Sequence, residues 1–176
     1  MRLLYHLWLS PLSRKIRVVL KEKNLDFTMK VEKTWERRPE FLALNPAGEV
    51  PVLIEPDGTV LAEANAIAEF LDEVYRDKLL IGINALDRAE VRRLTHWFDG
   101  KLNREVTEPL VGEKMMKRFL GLGEPNSSAI RICAAGFSGC ANKNRPCATP
   151  PAELTWFASA VCSRTLSLMA TPSSRT

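Results

Sequence analysis

The chain has 176 residues, 45% of them hydrophobic and 26% charged, a composition that fits a soluble globular protein and excludes a wholly disordered one. It holds no run of eighteen apolar residues, so no transmembrane helix is expected, and the short apolar N-terminus reads as a buried strand rather than a signal peptide. Residues 1–131 carry 21 basic and 20 acidic side chains against four and one in residues 132–176, so the net charge of +4 sits mainly in the tail and does not point to nucleic acid.

Arg2–Trp8 reads as a buried strand. Ser10 then offers a helix N-cap with Pro11 at the first helical position, where a fixed φ and a missing N–H cost nothing. Leu12, Ile16, Val19 and Leu20 recur at helical spacing through Lys23, and Asn24 suits a helix stop. Asp26–Lys33 alternates as a second strand, which completes a strand–helix–strand unit of about thirty residues. Trp35–Leu44 is irregular to helical and closes on the turn Asn45-Pro46-Ala47-Gly48. Glu49–Glu55 is a third strand, with Pro51 expected to be cis at its start. A Pro56-Asp57-Gly58 hairpin turn leads to a fourth strand at Thr59–Ala62. Asn65–Tyr75 is an amphipathic helix with Ile67, Phe70, Leu71 and Val74 on one face. This order is the thioredoxin arrangement, a mixed sheet with helices on both faces.

Leu79–Ala85 is a linker. A long helix is expected from Asp87, capped by Asp87 with Glu90 three residues on, and with Val91, Leu94, Trp97 and Phe98 spaced for burial. Pro109 is expected to kink or interrupt it. The fold expected is therefore a thioredoxin-like α/β domain over residues 1–80, followed by a partial all-α domain over 87–131. Residues 132–176 are poor in charge, rich in Ala, Ser, Thr and Pro, and hold all four cysteines. They read as a disordered tail, or as a segment translated out of frame in place of a lost helical half-domain. Cys133, Cys140 and Cys147 have no nearby histidine and none of the short paired spacings of a metal site, so no metal is expected.

Three places suit chemistry. Ser10-Pro11-Leu12-Ser13 sits where a strand hands over to a helix, so free N–H groups and the helix dipole favour an anion there. No cysteine is present to run disulfide exchange, but a hydroxyl there can hold a ligand's thiolate; the plainer reading makes Ser10 only an N-cap. Val50, ahead of a cis Pro51, exposes backbone groups able to pair with an extended peptide. Glu63-Ala64 opens a helix, a second place for a carboxylate. His6 and His96 read as packing residues rather than catalysts.

The motifs SPLS after the first strand, NPAGEVPVL, and an acidic residue before NAIAEFL resemble the N-terminal domain of glutathione transferases over residues 1–80, and Asp87–Arg131 resembles the start of their helical domain. The resemblance implies that Ser10 or Ser13 activates the thiol of glutathione, that Val50 and Pro51 pair with its cysteinyl backbone, and that Glu63 and Ala64 hold its γ-glutamyl end. It also implies a dimer. Ala64 stands where the family usually has serine, and losing one such bond to a charged group costs roughly 1.5–3 kcal/mol. WERRPEFLALNPAGEVPVL and REVTEPLVGEKMMKRFLGLGEP resemble a bacterial subgroup of transferase-like proteins that bind the tubulin homologue FtsZ. That resemblance implies a partner surface at Arg104, Glu113, Lys114, Lys117 and Arg118, interleaved with Met115, Met116 and Phe119; the plainer reading is an amphipathic helix with a solvated face. A cytoplasmic adaptor for FtsZ polymers and a glutathione-dependent transferase acting on small electrophiles are the two functions expected. A chain whose exposed second-domain helix only aggregates or dimerises is a third.

Overall fold

A computed structural model describes residues 1–124 and 126. The expectations for residues 132–176, including the four cysteines and the change of reading frame, lie outside the described residues. The chain divides into a unit of residues 1–88 and a second that begins at Ala89.

The first unit carries β1 (Arg2–His6), α1 (Pro11–Glu22), β2 (Phe27–Val31), a short 3₁₀ turn (Thr34–Glu36), α2 (Pro39–Leu44), β3 (Val52–Ile54), β4 (Val60–Ala62) and α3 (Ala64–Val74). The sheet order is β2-β1-β3-β4. β2 runs parallel to β1, as a crossover through α1 requires, and β3 and β4 are antiparallel additions. This is the thioredoxin-like arrangement expected.

Alternation along β1 divides the core. Tyr5 packs with Phe41, Val50 and Val52 beneath α2, and Leu3 and Leu7 flank that cluster. Leu4 and His6 point to the other face, where Ile16, Val19 and Leu20 of α1 and Ile67 and Leu71 of α3 are buried. Val74 departs from the expected stripe: it ends α3 half-exposed. α1 stops at a Schellman turn, in which Leu25 N–H donates to Leu20 O, Asn24 N–H to Lys21 O, and Asn24 adopts φ 54°. Where α1 and α3 end, the buried Lys23 ammonium lies 2.8 Å from the buried Asp72 carboxylate. Lys23 also donates to Tyr75 O and Lys78 O, and Asp72 accepts from Leu80 N–H and Ile81 N–H. That knot ties the ends of α1 and α3 to the linker.

The helix expected from Asp87 starts earlier, as α4 (Ala85–Thr95). Asn84 is its cap, accepting from Asp87 N–H at 2.8 Å, while the Asp87 carboxylate accepts from the Asn84 amide. Asp87 is thus the third helical residue, held by the side-chain amide of the cap, rather than the cap itself.

In the second unit the chain continues helically through a π-helical stretch (His96–Thr107), α5 (Glu108–Val111), a π-helical turn (Gly112–Met116) and α6 (Lys117–Phe119). The chain stays helical past Pro109, with Thr107, Glu108, Val111 and Gly112 all at right-handed helical angles, and the regular α-helical pattern gives way to π-helical turns on either side of it. Glu108 N–H donates five residues back to Asn103 O, a wider turn than the α-helical one. The wide stretch ends where a proline ring would meet the carbonyl four residues back. Val106 and Leu110 are its buried apolar residues; Trp97 and Phe98 pack edge to face at 4.8 Å and stay half-buried, and His96 is exposed rather than packed.

Candidate functional site

Strand register brings the three sequence-predicted places to one end of the sheet. Tyr5 pairs with Val52, and Val52 with Ala62. Each chain segment then leaves the sheet at that end: β1 runs on towards Ser10, β3 is entered from Val50, and β4 runs on into Glu63.

Ser10 has extended angles, φ −80° and ψ 118°, and its Oγ accepts from Ser13 N–H at 3.1 Å, so it caps α1. That bond uses a lone pair and leaves the hydroxyl hydrogen to donate. Ser13 differs. It is fully buried, and its Oγ accepts from Leu7 N–H at 3.4 Å, tying the end of β1 to α1. Of the two hydroxyls, Ser10 is the one with accessible surface.

The Val50–Pro51 peptide is cis, as expected. Val50 lies just outside the paired register of β3, which begins at Val52. The loop that presents it is shaped by Asn45, whose amide donates to Glu49 O at 2.8 Å and whose Oδ1 accepts from Ala47 N–H. Gly48 turns at φ 71°, and a Cβ there would meet Leu42 Cδ2 at 3.1 Å.

Glu63 caps α3 from φ 76°, a strained angle for a non-glycine residue. Its carboxylate accepts from Asn65 N–H at 3.0 Å, Ala66 N–H at 2.9 Å and the Asn65 amide at 3.1 Å. The chain thus already places a carboxylate at the helix N-terminus that was expected to take one from a ligand. Ala64 is buried and has no polar atom to offer from its side chain.

Two residues that sequence reasoning missed complete this end. The nearly buried Lys15 of α1 donates to Asn65 Oδ1 at 2.6 Å, which links α1 to the cap of α3. Their separation of fifty residues leaves no periodic trace in sequence.

The expected partner surface lies in the second unit. Lys117 pairs with Glu113 at 2.8 Å, Arg118 with Glu124 at 3.4 Å, and Glu113 also accepts from Asn126 N–H. The side-chain hydrogen bond from Lys117 and the Asn126 N–H hold the Glu113 carboxyl below its ordinary pKa. Arg104 and Lys114 have no ion pair or side-chain hydrogen bond among the described residues. Met115, Phe119, Leu120 and Leu122 expose apolar surface in the same segment. Among the described residues no helix is long and apolar enough to cross a membrane.

Residues 9–74 match the family model of the glutathione S-transferase N-terminal domain. FtsZ-localized protein A of Caulobacter vibrioides is 43% identical over 133 residues, 74% of this chain and 58% of that protein. The crystal structure of a glutathione S-transferase from Rhodospirillum rubrum is 54% identical with a TM-score of 0.77, covering 80% of this chain and 63% of that one. The structure of FzlA from C. crescentus is 35% identical with a TM-score of 0.81, covering 98% and 80%. The chain therefore spans little more than half the length of the first of these relatives.

Proposed function

Because this chain belongs to the glutathione S-transferase family, and shares most of its length with an FtsZ-localized relative, we propose that it is a partner-binding member that engages FtsZ polymers in the cytoplasm. One observation carries the reading. The 133 aligned residues exceed the 88 of the thioredoxin-like unit, so the likeness to FtsZ-localized protein A must extend into the helical segment. Transferases align over a similar length, so the weight falls on identity: 43% to FtsZ-localized protein A over 133 residues, against 32% over 133 residues for glutathione S-transferase 3 of Zea mays and 27% over 137 for GstA of Escherichia coli.

The proposed contact region holds Arg104, Glu113, Lys114, Lys117 and Arg118. Arg104 and Lys114 lead it, because no ion pair or side-chain hydrogen bond holds them among the described residues, whereas Lys117 and Arg118 must first leave Glu113 and Glu124. Apolar Met and Phe side chains among such charges suit a protein surface. Co-sedimentation with polymerised FtsZ tests the proposal. The chain pellets with polymer, Arg104→Glu with Lys114→Glu abolishes pelleting, and Lys117→Ala weakens it less. Pelleting no greater than without polymer sinks the idea.

A second reading is supported by Ser10. Its hydroxyl hydrogen is left to donate to a thiolate at the positive end of α1, so glutathione is the cofactor to test and conjugation to a small electrophile the reaction. In that reading Val50 and Pro51 receive the peptide backbone, and Lys15 and Asn65 stand beside Glu63 and Ala64 at the γ-glutamyl end. Activity lost in Ser10→Ala supports it. A homodimer, checked by sedimentation velocity, is compatible with both readings.

A further inference from the structure

A basic cluster on α1 lies outside all the residues assigned above. Trp8 follows β1 in a turn and leaves 59% of its surface exposed. The Arg17 guanidinium stacks on its ring, 4.7 Å from the centroid. The His6 imidazole meets the same ring edge-on at 4.6 Å. Arg14 stands one turn before Arg17, on the same side of α1.

Among the described residues no ion pair balances these charges. The first turn of α1 has no acidic residue, and neither arginine side chain has an ion-pair or hydrogen-bond partner among the described residues. Beneath them, His6 is fully buried with both ring nitrogens unpartnered, and the buried Nε of Arg17 lacks a partner as well. Buried polar groups are ordinarily hydrogen-bonded, and three such atoms gathered around one exposed tryptophan need an account.

We propose that Arg14 and Arg17, backed by Trp8 and His6, form a receptor for a carboxylate or phosphate oxyanion. Stacking on Trp8 fixes the plane of the Arg17 guanidinium and leaves its two Nη groups, unlike the buried Nε, for a bidentate acceptor, the geometry that carboxylate and phosphate share. Arg14 adds a second charge, and the N-terminal half of α1 contributes its positive dipole. A neutral ligand would leave both charges uncompensated. The proposed acid is carried by another molecule. Its source is either an acidic segment of another protein or free phosphate. The position of Trp8, two residues before Ser10, puts the receptor next to the start of α1 without using Ser10 itself. The inference stands independently of FtsZ binding and of glutathione binding.

The Nε–Hε resonance of Arg17 and the imidazole resonances of His6 test it in the full chain, with inorganic phosphate and a tetraglutamate peptide as probes. Burial, and then the charge of Arg17, hold the His6 pKa below its ordinary value. An oxyanion on Arg17 removes the second cause, so saturable movement of the Arg17 signal is accompanied by a rise in the His6 titration midpoint. Arg17→Lys keeps the charge but loses the fork, and weakens binding roughly tenfold or more. Arg14→Gln, at a partly exposed position, provides a second variant should Arg17→Lys not fold. Response to the peptide in preference to phosphate assigns an acidic protein segment, and the reverse assigns phosphate. No saturable shift with either probe, or unchanged affinity in the folded variants, overturns the proposal.

Discussion

His6 shows how a residue's environment departs from its type. Alternation placed it in a packed strand, and it is indeed buried, but without a hydrogen bond to either nitrogen. Burial and the neighbouring Arg17 lower its pKa in the folded chain below 6.5. The sign follows from linkage: between the two pKa values the unfolded state binds more protons, so stability rises with pH there. The His6 contribution is fully present above pH 6.5 and is lost as pH falls from 6.5 towards the lower folded value. Urea unfolding at pH 7.5 and 5.5 checks this. The parent loses stability at the lower pH, and His6→Gln shows a smaller loss. Arg17→Gln also shrinks the difference, because it removes one of the two causes. An unchanged difference in His6→Gln would place the acid sensitivity elsewhere.

Among the elements, those with local signatures were legible and those set by distant partners were not. The caps at Ser10 and Asn24, the turn at Pro56–Gly58 and the alternation of β1 each lie within a few residues, and the structure uses them all. The strand ends were overdrawn: Trp8 leaves the sheet and Val50 precedes β3, because pairing depends on a neighbour and not on the segment's own pattern. At α4, two cap-type residues stood three apart, and the first of them took the cap. At Pro109, where a kink or interruption was expected, the chain stays helical and the departure from the α-helical pattern is the wider turn ahead of it. The site was readable in its backbone elements, Ser10, Val50 and Glu63, but not in Lys15 and Asn65. The Lys23–Asp72 knot belongs to the same long-range class and has a measurable consequence. Removing one partner of a buried ion pair strands the other charge, and Asp72→Ala also frees Leu80 N–H and Ile81 N–H. It should cost about 3–5 kcal/mol in urea unfolding and open the linker to limited proteolysis. A loss below about 1 kcal/mol, the range of exposed pairs, would mean that the knot holds little.

At the scale of the whole molecule, the residues proposed for glutathione and those proposed for FtsZ fall in different units of the chain. Ser10, Val50, Pro51, Glu63 and Ala64 belong to residues 1–88, whereas Arg104 through Arg118 belong to the unit beginning at Ala89. A protein that retained the thioredoxin-like fold for its stability while gaining a partner through the helical segment would show no shared dependence between the two sites. Calorimetric titration of glutathione and co-sedimentation with FtsZ, run on the same variants, make that separation testable. Ser10→Ala removes a helix cap, which costs about 0.5–2 kcal/mol of stability, and weakens any glutathione binding roughly tenfold or more while leaving pelleting intact. Arg104→Glu with Lys114→Glu does the opposite. Pelleting should also fall with added salt, because both lead residues act as exposed charges screened over about 10 Å at 0.1 M. Salt-insensitive pelleting would shift the contact from Arg104 and Lys114 to the apolar side chains around Phe119. Loss of pelleting in folded Ser10→Ala would instead mean that the thioredoxin-like unit takes part in polymer binding.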